Sequence, residues 1–167
     1  VKDTSAVAMF KAVKDTKTQF LFDAAGSEEV FFMAWTTTPW TLPSNLGLTV
    51  GPNIDYVLVH TFNPYTHLPI NIVLAKALLG KYFKPEGENG DFENYHAEVK
   101  LLPWKILIEF KGSSIENATY DQLLPYEANS PKVVEEITAG AKPFRVLCGD
   151  FVTTEDGTGI VHTAPAF

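Results

Sequence analysis

A chain of 167 residues, 46% hydrophobic and 13% aromatic, holds enough apolar material for one domain with a substantial core, and 20% charged residues argue against disorder. A formal charge of −7 argues against a fold that grips nucleic acid through its own electrostatic field. No apolar run approaches the roughly 18–20 residues of a membrane span, so a soluble domain is expected, and the single cysteine rules out an internal disulfide.

Val7–Val13 and Thr18–Ala24 read as two β-prone runs around KDTK, an opening hairpin. The first residues lack a signal-peptide pattern and do not begin with Met, so an excised piece of a longer protein is expected. Glu29–Thr36 is nearly continuous in apolar residues and predicts a central strand buried on both faces. There follows WTTTPWTLPSN (35–45), with four threonines and two prolines in eleven positions. Pro39 and Pro43 restrict φ and the residues before them, which predicts a stiff, extended backbone from Thr36 to Asn45.

Leu46–Val50 stops at the turn signal Gly51-Pro52-Asn53, and Asp55–Thr61 alternates as a further strand. Ile70–Leu74 reads as a strand and Ala75–Tyr82 as the most convincing helical stretch. PEGENGDFENYHAE (85–98) is acidic and weakly periodic, the pattern of a long solvated loop or insertion. Lys105–Phe110 is a strand, Gly112–Ala118 a turn or short helix, and Tyr120–Ala141 irregular with a helical turn at Lys132–Ile137. Phe144–Thr153 and Gly159–Thr163 read as paired strands joined by TEDGTG, whose Asp-Gly is a hairpin signal. Within FRVLCGDFV, Cys148 reads as a small buried strand residue rather than a reactive thiol. Strands outnumber helices without βαβ alternation, which excludes a doubly wound sheet. One strand-rich α+β domain with a barrel-like sheet is expected over residues 1–167.

Most catalytic signatures are absent: no Gly-x-Ser-x-Gly elbow, phosphate loop, dinucleotide fingerprint or His-Glu-x-x-His. His60, His67, His96 and His162 are scattered without a cysteine pair, which is no zinc pattern. Two segments remain. In the first, the threonine hydroxyls of 36–41 either face a ligand or cap one another in a wide loop. In the second, GTGIVHTAP (157–165), Gly157 and Gly159 permit close backbone approach before a strand delivers His162 beside Thr163. A lone histidine in an apolar strand is more often a packed or hydrogen-bonded residue. Spacing alone decides neither.

Taken together, TTTPWTLPSN followed much later by GTGIVHTAPAF resembles the editing domain inserted into isoleucyl-tRNA synthetases, a β-barrel-like domain of class I aminoacyl-tRNA synthetases. The resemblance extends through FKGSSIENATYDQLLPY and is weak only across 85–98. Valyl enzymes tend to carry an Arg-Pro-Glu-Thr version of the first motif and leucyl enzymes Arg-Pro-Asp-Thr, so Pro-Trp-Thr-Leu-Pro and His-Thr-Ala-Pro favour the isoleucyl type.

The resemblance implies hydrolysis of valine wrongly esterified to isoleucine tRNA. One missing methylene supplies only about 1–3 kcal/mol of discrimination in an apolar pocket, a limit for which isoleucine against valine is itself the usual worked example. It further implies that Thr37, Asn45 and His162 carry the chemistry, by orienting ester and water and positioning or excluding side chains. Trp35, Thr36, Thr38, Thr41, Gly157, Thr158, Gly159 and Thr163 would then line the substrate site. Trp35 and Trp40 are expected to pack rather than flank the adenine. No side chain reads as a nucleophile, so a positioned water is the expected attacking group, aided by the vicinal ribose hydroxyl of the substrate.

The partners implied are the 3′ end of isoleucine tRNA carrying valine and the remainder of the synthetase, with the isolated domain a cytoplasmic monomer touching no membrane. No cofactor is expected in this domain, since ATP and magnesium serve the parent enzyme elsewhere. The family pattern continues past His-x-Ala-Pro into an acidic stretch that binds the substrate ammonium group. The chain ends at Phe167, before that stretch, so it is read as truncated at its C-terminal end and weak or inactive alone. Two further readings stay open: an aminoacyl- or nucleoside-binding module without hydrolysis, and a valyl-type domain acting on threonyl-tRNA(Val).

Overall fold

The computed structural model describes residues 4–26, 28–124 and 131–164. Its centre is a mixed eight-stranded sheet curled into a half-barrel, with few helices. The strands are β1 (Ala6–Lys11), β2 (Val30–Thr36), β3 (Gly47–Val50), β4 (Asp55–Phe62), β5 (Pro69–Ala75), β6 (Lys105–Lys111), β7 (Arg145–Cys148) and β8 (Ile160–Thr163). The α+β, strand-rich expectation holds.

β2 organises the sheet. Along one edge it pairs antiparallel with β1 from Phe31 to Thr36. Its other edge forks. Val30–Phe32 run parallel with Asn71–Val73 of β5, and Trp35 pairs in parallel with Val161 of β8. β4 then links β5 to β6, while β3 links β8 to β7. The unbroken apolar run of β2 is explained by two cores, one on each face. Phe32 and Ala34 join Phe10, Leu48, Tyr56 and Ile160 on one side. Met33 joins Val57, Val59, Ile72, Phe83 and Trp104 on the other. Successive residues of a strand point to opposite faces, so a strand between two cores must be apolar throughout.

Four local expectations are corrected. Thr18–Ala24 is not a hairpin strand: Gln19–Ala24 forms helix α1. Leu21 and Ala25, four residues apart, share its buried side, and Gly26 closes it at φ 68°. The terminal strands β7 and β8 do not pair with each other. β3 lies between them, parallel to β7 and antiparallel to β8, because the connecting segment is long enough to cross it. The helix expected over 75–82 is a 3-10 turn (Lys76–Leu78) followed by the single turn α2 (Leu79–Tyr82).

The acidic stretch 85–98 keeps its carboxylates in solvent but is not a loose loop. Trp104 Nε1 donates to Lys84 O at 2.8 Å, and Asn89 N donates to Trp104 O at 2.7 Å. Tyr95 stacks on Phe62 at 4.3 Å between ring centroids, and Phe92 on His60 at 5.2 Å. Helix α3 (Pro131–Thr138) covers the helical turn expected there; the irregular stretch before it lies partly outside the described residues.

Candidate functional site

The fork in β2 sets up the site. Where β2 leaves β5 and meets β8, the chain passes Thr36 and turns. Pro39–Ser44 form a 3-10 helix, not the extended backbone that the prolines suggest. Pro39 occupies the first helical position, where the missing N–H has no partner to lose and φ is already helical. The turn closes with Thr41 N donating to Thr38 O at 2.9 Å and Asn45 N donating to Leu42 O at 3.1 Å. Coiling gathers hydroxyls that an extended chain would spread. Thr36 Oγ1 accepts from Thr38 N at 3.1 Å, and the Thr38 and Thr41 hydroxyls lie 3.2 Å apart.

β8 brings His162 onto this turn. Its Nε2 is 2.9 Å from Thr41 Oγ1, and its Nδ1 is 2.7 Å from Asn45 Nδ2. The direction of each bond follows from the donors on hand. Thr41 Oγ1 gives its only hydrogen to Thr38 O at 2.7 Å, so it accepts from His162 Nε2. The amide nitrogen of Asn45 donates to Gly47 O at 2.9 Å and to His162 Nδ1, while Asn45 Oδ1 accepts from the Tyr120 hydroxyl at 2.5 Å. Reversing the amide would set Oδ1 against the Gly47 carbonyl. One directed chain results, from Tyr120 through Asn45, His162 and Thr41 to the Thr38 carbonyl.

His162 is therefore the neutral Nε2–H tautomer with both nitrogens engaged. Burial lowers its pKa from the ordinary histidine value, partly offset by its hydrogen bond with Thr41, and no charged group contributes. The site offers hydroxyls, an amide and an imidazole. Among the described residues, the hydrogen bonds of Thr36, Thr38, Thr41, Asn45 and His162 involve no carboxylate or thiol.

No family model matches the chain. In fold, it superposes on the crystal structure of the P. knowlesi cytosolic leucyl-tRNA synthetase editing domain, with TM-score 0.63 and 11% identity, over 95% of this chain and 56% of that one. The crystal structure of GlLeuRS-CP1 gives TM-score 0.62 and 18% identity over 96% of this chain and 52% of that one. In sequence, it is 50% identical over all 167 residues to isoleucine–tRNA ligase of Cytophaga hutchinsonii, and spans 13% of that protein's length. The chain belongs to the editing-domain insertions of isoleucyl-tRNA synthetases. The likeness extends to the Treponema denticola isoleucine–tRNA ligase, at 40% identity over the whole chain and 14% of that protein.

Within this editing domain the residues singled out by sequence take different positions. Thr41, Asn45 and His162 meet directly, with Thr36 buried beneath them and Thr38 at the rim. Thr37 is exposed, and its hydroxyl has no partner among the described residues. Thr163 points to the other face of β8, where its hydroxyl lies 3.2 Å from that of Thr49.

Gly157, Thr158 and Gly159 are buried behind the site rather than lining it. Gly157, at φ 72°, lies flat under the Trp35 ring, where a Cβ would come within 2.8 Å of Trp35 Cε3. The Thr158 hydroxyl bonds back to Ile160. The turn before them is clamped to α2, with Lys81 on Asp156 at 2.6 Å and Tyr82 OH donating to Gly157 O at 2.9 Å. Trp35 packs as expected. Trp40 does not: it is 71% exposed on the outer side of the turn.

Two tyrosines are absent from the sequence-based set. Tyr120 holds Asn45, and Tyr56 holds the second motif by donating to Gly159 O while accepting from Gly51 N at 2.9 Å. Burial pushes the Tyr56 phenol up to about 12 and raises Tyr120 likewise, so both remain protonated donors. The only sequence signal was the position of Tyr120 inside the FKGSSIENATYDQLLPY resemblance.

Proposed function

We propose that this domain hydrolyses valyl-tRNA(Ile) after transfer, as the editing activity of its parent isoleucyl-tRNA synthetase, and that it does so with water and no cofactor. The observation that carries the reading is the meeting of the two motifs: Thr41 and Asn45 of one segment bind the two nitrogens of His162 from the other. Pre-organised donors of this kind act where charge develops on an ester, and they need no reorganisation at the moment of attack.

Thr37 and Thr38, at the exposed rim, are the groups placed to orient the terminal ribose and the attacking water. His162 has no unengaged nitrogen to act as base, which favours a wall-and-donor role that positions the aminoacyl group. The Thr41 hydroxyl is tied to Thr38 O and His162, and no thiol or carboxylate joins the network among the described residues, which favours a positioned water, assisted by the vicinal ribose hydroxyl, as the attacking species. The acceptor end of the tRNA and the remainder of the synthetase are the partners, in the cytoplasm, and the acidic charge of −7 fits most phosphate binding being supplied by that remainder.

The test is deacylation of valyl-tRNA(Ile) and isoleucyl-tRNA(Ile) by the full-length synthetase carrying Thr37→Ala or His162→Ala. Loss of valyl-ester cleavage supports the reading. Unchanged rates in both variants would remove the assignment, and cleavage of threonyl-tRNA(Val) in preference to the valyl ester would replace it with the valyl-type reading.

A further inference from the structure

We propose that Tyr120 is a positioning residue of the editing site: its hydroxyl fixes the orientation of the Asn45 amide and thereby which nitrogen of His162 carries the proton. The role rests on the editing reading for its consequence in catalysis, while its effect on His162 is independent of that reading.

Tyr120 is held on several sides before it reaches the site. Its backbone bridges to Ala12, and its N–H donates to Phe144 O at 3.0 Å. The edges of Phe10 and Phe144 meet its ring at centroid distances of 5.2 and 6.3 Å. Only 3% exposed, it ends with its hydroxyl on Asn45 Oδ1, 75 positions earlier in the chain. A ring so packed cannot swing its hydroxyl elsewhere, and a phenol kept protonated by burial offers its hydrogen to that oxygen alone.

The consequence passes along the chain of bonds. With Oδ1 committed to Tyr120, Asn45 must present N–H to His162 Nδ1, and an Nδ1 that accepts cannot carry a proton. Protonating His162 there requires the amide to turn over. That would face its NH₂ toward the Tyr120 hydroxyl, leave that hydroxyl hydrogen without an acceptor, and strip Gly47 O of its donor. Among the described residues, the groups facing His162 are Thr41 and Asn45 from the turn and Leu48 across the strand pair, and none of these is charged.

Replacing Tyr120 by Phe removes the hydroxyl and keeps the ring. Gly47 O is then the one remaining partner that holds the amide in its original orientation, so turning Oδ1 toward Nδ1–H sacrifices one hydrogen bond instead of two, and Thr41 can turn its hydroxyl from Thr38 O to Nε2. The direction of the network reverses at its site end.

The experiment measures single-turnover deacylation of valyl-tRNA(Ile) between about pH 5 and 8, in the full-length synthetase as wild type, Tyr120→Phe and Thr61→Val. Thr61 gives a matched loss, a buried hydroxyl donating to Pro103 O at 2.8 Å on the far side of the sheet. The expected result for Tyr120→Phe is a saturating rate about 10- to 100-fold lower at neutral pH with KM little changed. Its acid limb moves up toward the ordinary histidine value of about 6.5, whereas Thr61→Val changes thermal stability without moving the pH profile.

In parallel, ¹⁵N-histidine spectra of the full-length synthetase, with the His162 signal assigned by its loss in His162→Gln, should show His162 as Nε2–H in the wild type and shifted toward Nδ1–H or imidazolium in Tyr120→Phe. An unchanged pH profile with an unchanged tautomer overturns the proposal. If the wild-type enzyme cleaves no valyl ester, the editing reading fails and the spectra alone decide the role of Tyr120. If Tyr120→Phe does not fold, Asn45→Asp is no substitute. Its carboxylate would act on His162 by charge alone, so the deciding reading is then the wild-type spectrum: His162 protonated on Nε2 supports the proposal, and His162 protonated on Nδ1 overturns it.

Discussion

Two polar, turn-rich segments of this domain look alike in composition and are built in opposite ways. The turn at 36–45 is tied by side-chain hydrogen bonds that converge on one imidazole, with Asn45 almost fully buried at their junction. The acidic segment 84–104 is tied by rings and backbone: Trp104 against Phe83 and Lys84 O, Tyr95 on Phe62, Phe92 on His60, with Lys105 Nζ 5.1 Å from the Phe92 ring centre. Its carboxylates stay in solvent. Apolar anchoring holds a segment in place without specifying directions. A chain of donors and acceptors specifies them, and direction is what an ester-binding site requires.

The comparison can be broken first by stability. Trp104→Ala should cost about 3–5 kcal/mol in denaturant unfolding, as expected for a buried aromatic that also loses its hydrogen bond, yet leave deacylation per folded molecule unchanged. Asn45→Ala should cost less, about 2–3 kcal/mol, from the partners it orphans around Tyr120, Gly47 and His162, and should lower deacylation about 100-fold. Thr37→Ala sharpens the contrast further. Its exposed hydroxyl has no partner among the described residues, so stability should stay within about 0.5 kcal/mol while deacylation falls about tenfold.

The smallest effect is on pH-dependent stability. The folded pKa of His162 lies below its unfolded value, so the unfolded chain binds more protons between the two, and stability rises with pH across that interval. The contribution is complete above about pH 6.5 and is lost as pH falls through the folded pKa. His162→Gln should flatten this part of a urea-midpoint profile against pH.

Much of the fold was legible in the residues. β2 declared itself because a strand buried on both faces leaves no polar alternation to interrupt the apolar run. β4 and β6 followed from their runs and from the turn signals around them. What failed was decided by tertiary context. The aromatic pair in QFLFDA resembles a strand until Leu21 and Ala25 find a common core face. The pairing of β7 and β8 with β3 rather than with each other depends on a strand some hundred residues earlier in the chain.

At the site, the two motifs were visible through their family resemblance, and the physics of spacing left them undecided. Coiling of the threonine segment was missed because Pro39 is as compatible with a first helical turn as with extended chain. Tyr120 was missed because nothing local marks a tyrosine whose partner lies 75 residues away.

The most direct measurement of the central claim is single-turnover deacylation of valyl-tRNA(Ile) by the full-length synthetase carrying Asn45→Ala, beside the same enzyme carrying Trp104→Ala, both at a temperature where each stays folded. The account predicts that the first loses the activity and the second keeps it, although the second is the less stable protein. Equal rates, or loss confined to Trp104→Ala, would show that the hydrogen-bonded turn does not direct the chemistry.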